Sequence, residues 1–302
     1  MCAASNLQSP ASSAGLSRTK AARWIAADHS NGRLLVWLMN ESDVLQRASQ
    51  YSGSDPMADL ARLVAELDDC PPETPILLND DSLRGDDTGT ITVPAKPADL
   101  PIGQTTLGTH PLRLLGGLSQ SNPRVVMRGS VNRVAGFLSL NPDWDGVICI
   151  PGETTHWALI SANEVVSFQS FLTTELWRSL ARILGVNNAA NFDVSDTSAL
   201  TGSMETIQSK PEALAARLAE LQASHSSKDA TLAACLWGLL LGAELSAARP
   251  YWLGQNIALI APPPLDAIYE AALTHQGVPL IRTDADRIAL SGLISAWRGM
   301  AA

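Results

Sequence analysis

One pattern constrains the fold of this chain more than any other, and it occurs once in each half: two apolar runs separated by a short polar turn. In the first half, Trp24-Ile25-Ala26-Ala27-Asp28 and Leu34-Leu35-Val36-Trp37-Leu38-Met39 flank His29-Ser30-Asn31-Gly32. Apolar runs rich in β-branched and aromatic residues, broken by a dipeptide such as Asn-Gly, are hairpin signals. In the second half, residues 147–150 and 156–160 flank Pro151-Gly152-Glu153-Thr154-Thr155, and a further strand is expected over 165–168. No residue-level repeat accompanies the two blocks, so they suggest two similar units without specifying a fold.

Around these hairpins the chain alternates. Met57, Leu60, Leu63, Val64 and Leu67 recur at helical spacing, which predicts a helix over 56–67 with Asp55 as its N-cap. A strand is expected over 75–78. Residues 80–117 are rich in Pro, Gly, Asp and Thr and read as loops and short strands. Helices are expected over 174–184, 212–222, 230–245, 265–276 and 284–297, with a strand over 257–260 between the third and fourth, an α/β alternation. With 302 residues, 46% hydrophobic and 17% charged, the chain has enough apolar material for two domains. These are placed at 21–140 and 141–302, behind a disordered arm over 1–20 whose small polar residues show no periodicity.

Charge and cysteine usage narrow the partners. A net charge of -9 offers no basic field for nucleic acid or anionic lipid, so neither is expected as a partner. Cys2, Cys70, Cys149 and Cys235 form no CxxC pair, and five scattered histidines show no ligand spacing, which argues against zinc and a disulfide framework and fits a reducing cytoplasm. The longest apolar run, around 236–241, is far short of the roughly 20 residues of a membrane span. No GxSxG elbow is present, so hydrolase chemistry has no support. Oligomeric state is open.

Short blocks in a fixed order carry a family resemblance. Asp28-His29-Ser30-Asn31-Gly32-Arg33-Leu34-Leu35-Val36-Trp37 stands where Asp-Trp-Gly-Thr-Ser/Thr-Asn and Leu-Arg-Ala-Trp would stand. Met127-Arg128-Gly129-Ser130-Val131-Asn132-Arg133 matches Met-Arg-Gly-Glu-Glu-Thr-Gln, and Pro151-Gly152-Glu153-Thr154-Thr155-His156-Trp157 keeps the frame of Pro-Gly-Thr-His-Ser-Lys-Trp. Residues 171–176 resemble Phe-Met-Thr-Gly-Glu-Leu, 238–245 resemble Gly-Leu-Leu-Ile-Gly-Ala-Glu-Leu, and 289–293 end on Ala-x-x-Gly-Leu. Together, over 24–296, the chain resembles the 2-dehydro-3-deoxygalactonokinase family of sugar-acid kinases. That resemblance implies an α/β, two-lobed actin-like (ribonuclease H-like) kinase fold with a central cleft. It also implies Mg-ATP as cofactor and phosphorylation of 2-dehydro-3-deoxy-D-galactonate at its 6-hydroxyl, a small sugar-acid substrate.

Carried over residue by residue, the resemblance places Asp28, Ser30, Asn31, Gly32, Gly152, Glu153, Thr154 and Thr155 in the nucleotide and phosphate turns. Asp28 would hold Mg through water, and Arg128, Thr173 and Glu175 are the substrate candidates. The phosphate-facing residues depart from the pattern. Ser30 replaces a glycine that would let backbone N–H groups approach phosphate. Glu153 brings a carboxylate toward the expected triphosphate, and His156 stands in place of a lysine. Ser130 and Val131 replace an acidic pair that would supply a base or metal ligand, leaving the catalytic base unassigned. Ala261-Pro262-Pro263-Pro264 replaces a glycine-rich turn at the adenine end. Two readings therefore stay open: an active kinase, and a catalytically degenerate homologue that binds a sugar acid as a sensor or serves as a protein-interaction scaffold.

Overall fold

In the computed structural model of the protein, residues 23–82, 89–186, 196–223 and 229–301 are described; the expected arm over 1–20 lies outside them. Asn31 and Gly32 take positive φ, 53° and 67°, the left-handed backbone that a two-residue hairpin turn requires. Strand β1 (Arg23–Ser30) therefore folds straight back as β2 (Arg33–Asn40), and β3 (Asp43–Tyr51) continues the antiparallel meander. Helix α1 (Pro56–Ala65) starts where expected, with the Asp55 carboxylate accepting from the Met57 and Ala58 N–H groups at 3.1 and 3.0 Å. The chain then forms β4 (Ile76–Asp80), β5 (Thr90–Thr92), β6 (Ile102–Leu107), β7 (His110–Leu115), β8 (Gly117–Ser121), β9 (Arg124–Met127) and α2 (Ser130–Leu140). The described part of the 80–117 region is more regular than its composition suggests, because β7 lies parallel to β4 inside the first sheet.

The second half repeats this plan. It runs β10 (Gly146–Ile150), β11 (Thr155–Ser161), β12 (Glu164–Phe171), α3 (Thr173–Ile183), α4 (Thr197–Ser209), α5 (Leu214–Ala223), α6 (Asp229–Ala247), α7 (Arg249–Trp252), β13 (Ile257–Ala261), α8 (Leu265–His275), β14 (Leu280–Asp284) and α9 (Ala285–Ala301). The sheet orders are β3-β2-β1-β4-β7-β6 and β12-β11-β10-β13-β14. In each, a meander's first strand pairs in parallel with a later strand, and that strand with a third. Even the irregularities match: register shifts after Leu38 in β2 and after Leu159 in β11. The two-lobed actin-like architecture implied by the resemblance is thus what the chain adopts.

Helix α6 is the one described helix long and apolar enough, over Ala230–Ala247, to cross a membrane, a length that the interrupted apolar run did not suggest. Two-thirds of that window is buried inside the protein, against α3, α4 and α5, the burial of a core helix.

Five layers result. Helix α1 covers one face of the first sheet through Leu60, Leu63 and Val64, and α9 covers the other through Leu293 and Trp297. The Trp24 and Trp297 rings stack at 4.6 Å with 2° between planes, and the Arg113 guanidinium lies 5.3 Å from the Trp297 ring centroid. On the second sheet, α2 packs one face through Val131, Val134 and Phe137, while α4, α6 and α8 pack the other. Helices α2 and α9 cross between the sheets at close quarters: a Cβ at Gly136 would overlap the Ile288 carbonyl, and one at Gly292 the Asn132 carbonyl. Elements from either side of residue 140 therefore share cores.

Candidate functional site: the crevice between the two sheets

Alternation along β1 sorts its polar end. Ile25 and Ala27 face α1 while Trp24 and Ala26 face α9, so the period of two sends Asp28 and Ser30 toward the α2–α9 layer and His29 to the opposite face. The same alternation in β4, whose register pairs Asp28 with Asn79 and His29 with Asp80, puts Asn79 beside Asp28 and Asp80 beside His29. Two polar clusters thus form at the ends of adjacent parallel strands, where open α/β sheets place their ligand crevices.

The inner cluster centres on Asp28, which is 1% exposed. Its Oδ1 accepts from Asn79 Nδ2 at 2.6 Å, and its Oδ2 accepts from Ser30 Oγ and from Arg133 Nη2, both at 2.8 Å. Arg133 comes from the first turns of α2, is itself buried, and also donates to Ser30 Oγ at 2.6 Å. Burial opposes its charge, but the Asp28 and Asp81 carboxylates outweigh that and raise its pKa.

The outer cluster pairs His29 Nδ1 with Asp80 Oδ1 at 2.8 Å, and the Ser82 N–H and hydroxyl both donate to that oxygen at 2.7 Å. Burial disfavours the His29 cation, yet the Asp80 hydrogen bond and the nearby Asp80, Asp81 and Asp28 charges raise its pKa. Asp80 responds in the other sense: burial favours its neutral form, and bonds from His29 and Ser82 bring its pKa below the usual value.

Asp81 lies between the clusters, its carboxyl packed against Gly129, whose φ of 50° and missing Cβ make room for it. Burial pushes its pKa up to about 7, with Arg133 lowering it and Asp28, Asp80 and Glu153 raising it further. An acidic side chain, absent at Ser130 and Val131, thus stands beside the same helix start from a different element. Sequence reasoning missed Asn79, Asp80, Asp81 and the role of Arg133. The available signal was a polar Asn-Asp-Asp run ending an apolar strand.

The turn of the second sheet meets that of the first directly. The Glu153 backbone N–H donates to Asn31 Oδ1 at 2.9 Å, and Gly152 faces the same oxygen. The Glu153 carboxylate is half-exposed and lies 3.7 Å from Arg178, which pairs with Glu175 at 2.6 Å. Gly32 sits opposite Glu153, and Thr154 is part-buried in the turn. Thr155 points the other way, its hydroxyl 2.8 Å from that of Tyr269.

Among the substrate candidates, Thr173 is buried and donates to Glu244, which also accepts from Trp157 Nε1 and the Tyr269 hydroxyl, each at 2.9 Å. Burial raises the Glu244 pKa and these three donors oppose the rise. Glu175 is exposed at the start of α3, and Arg128 is half-buried immediately before Gly129. His156 is buried beside Ser170 Oγ at 2.8 Å, and burial lowers its pKa to about 4. As a neutral, enclosed ring it is not a stand-in for a phosphate-binding lysine.

These residues do not fit Mg-ATP. Both Asp28 oxygens carry protein donors, one of them a guanidinium, and the Glu153 N–H, in a turn that the resemblance assigns to phosphate, is bound to Asn31. A hard divalent cation needs open oxygen lone pairs at short range.

Comparison with known proteins gives a consistent set of similarities. The family model for 2-keto-3-deoxy-galactonokinase matches residues 83–296. A probable 2-dehydro-3-deoxygalactonokinase of Rhizobium meliloti (strain 1021) is 26% identical over 225 residues, covering 71% of this chain and 74% of that protein. A crystal structure of a "putative 2-dehydro-3-deoxygalactonokinase protein" from Sinorhizobium meliloti superposes with a TM-score of 0.82 at 25% identity, over 91% of this chain and 96% of that one. Component A of the (R)-2-hydroxyglutaryl-CoA dehydratase of Acidaminococcus fermentans shares the fold alone, with a TM-score of 0.57 at 10% identity over 93% and 99% of the two chains.

Proposed function

The chain belongs to the 2-keto-3-deoxy-galactonokinase family, and on that premise we propose that it binds a small sugar acid in its crevice without transferring a phosphoryl group from Mg-ATP. The observation that carries this reading is the clasp between the two turns. Phosphoryl-transfer proteins act mainly by positioning phosphates with backbone N–H groups and cations, and here the Glu153 N–H is already bound to Asn31 Oδ1 at 2.9 Å. On the acceptor side, a sugar hydroxyl would bond Asp81 beside Gly129, and a sugar-acid carboxylate would take over the charge-assisted pairing that Arg178 makes with Glu175 and Glu153. Retention of a fold without its chemistry is a common outcome, since function resides in the site and not in the architecture.

Calorimetric titration of the full chain with 2-dehydro-3-deoxy-D-galactonate, and separately with Mg-ATP, tests the reading. Heat of binding is expected from the sugar acid and none from Mg-ATP. Saturable Mg-ATP binding in the low micromolar range would overturn it.

A second reading, 2-dehydro-3-deoxygalactonokinase activity with Asp81 as general base, is favoured by the placement of that carboxyl against Gly129 at the start of α2, where burial pushes its pKa up to about 7, a range matched to accepting a hydroxyl proton near neutrality. ATP-dependent phosphorylation of the sugar acid that is lost in Asp81→Asn would select it.

A further inference from the structure

We infer that Arg133 is a resident counter-ion: its guanidinium fills the place of a cation at Asp28, so that this crevice is built to work without a divalent metal. A carboxylate as buried as Asp28 must be matched by positive charge or hydrogen-bond donors. Among the described residues its hydrogen-bond partners are protein groups: Asn79 on one oxygen, Ser30 and Arg133 on the other. The guanidinium is a permanent charge, because its pKa is far above any physiological pH. Its bond to Ser30 Oγ at 2.6 Å ties Arg133, Ser30 and Asp28 into a closed triangle.

A second observation points the same way. Arg133 also lowers the pKa of Asp81 and has its own raised by both Asp28 and Asp81, so one cation serves two carboxylates that would otherwise repel each other. A divalent ion placed there would have to displace the guanidinium and would meet its charge at close range. The inference concerns metal use only and holds whichever small molecule the crevice accepts.

The experiment uses the full chain stripped with EDTA and titrated with Mn2+ alone, following free Mn2+ by electron paramagnetic resonance and folding by thermal unfolding. The native chain is expected to show no saturable Mn2+ site and no Mn2+-dependent shift in unfolding. Arg133→Gln uncovers Asp28 and Asp81 and is expected to gain one site, at least about tenfold tighter than any binding by the native chain. Adding Asp28→Asn should remove that site. Saturable Mn2+ binding by the native chain that Asp28→Asn abolishes would overturn the inference, as would a folded Arg133→Gln protein with no gain. Should Arg133→Gln fold only with Mn2+ present, the inference is supported directly. If it folds in neither condition, the Asp28→Asn/Arg133→Gln protein decides: a folded double variant shows that charge pairing is what Arg133 provides, and an unfolded one refutes the counter-ion role.

Discussion

The side-chain oxygen of Asn31 and the backbone N–H of Glu153 meet at 2.9 Å across a sequence separation of 122 residues. Each residue sits in the turn of a hairpin at the crevice, one from each sheet, so this bond ties the two halves of the molecule together at its functional end. Asn31→Gly removes the acceptor while keeping a backbone that tolerates positive φ. Loss of a hydrogen bond of about 1 kcal/mol should speed amide exchange at Glu153 by roughly fivefold to tenfold and leave the two sheet cores protected. Unchanged exchange at Glu153 would show that the clasp does not persist in solution.

Glu153→Thr removes the charge that the turn presents toward a phosphate. Its partner Arg178 keeps Glu175 at 2.6 Å, and exposed ion pairs contribute little, so stability should change by no more than about 0.5 kcal/mol. Because the turn N–H stays bound to Asn31, nucleotide affinity should not rise. A tenfold gain in Mg-ATP affinity would identify the Glu153 charge, and not the clasp, as the barrier.

Asp81 makes stability fall between acid and neutral pH. Its folded pKa of about 7 lies above the ordinary aspartate value of 3.8, so the folded state holds more protons than the unfolded state between those limits. Stability must therefore fall as pH rises from about 4 to 7, by an order of a few kcal/mol. His29, whose pKa is also raised, contributes stability that is full below its unfolded value and lost as pH climbs through the folded one. Asp81→Asn should gain more in urea midpoint at pH 8 than at pH 5. An equal gain at both values would place Asp81 outside this linkage.

His156 works in the opposite sense. Burial lowers its pKa from 6.5 to about 4, so the unfolded state binds the extra proton between those values and stability is lost as pH falls from about 6.5 to 4. His156→Gln should flatten that acid limb, whatever it costs at neutral pH. Stability curves for the two proteins that run parallel below pH 6.5 would contradict the assignment.

Trp297→Ala deletes the ring that stacks on Trp24 and lies 5.3 Å from the Arg113 guanidinium. A loss of about 3 kcal/mol is expected, toward the lower end for a large aromatic because Trp297 is only part-buried. Urea denaturation reads this directly, and a loss below about 1 kcal/mol would mean that α9 is held on the first sheet by its other contacts.

What the sequence by itself determined was the set of elements whose signal is local. Strands built on long apolar runs such as β1, β2, β10 and β13, the Asp55-capped helix and the amphipathic or apolar helices α3, α6, α8 and α9 announce themselves through period and caps. The ordered blocks from Asp28 to Leu293 also sufficed for the family. Elements stabilised chiefly by partners were not legible. Strand β14 is a largely exposed edge, α4 buries only Leu200, Met204 and Ile207, and α2 carries Asn132 and Arg133 into the interior, where a sequence pattern expects apolar residues. Only the tertiary structure decided the chemistry of the crevice. Asp28 meets Arg133 from 105 residues away, Asp81 packs against Gly129 of another element, and Asn31 reaches Glu153. The physical reason is that charge pairing, desolvation and steric room at Gly129 depend on distances through space, which parallel strand pairing and the α2–α9 crossing set and which no local pattern encodes.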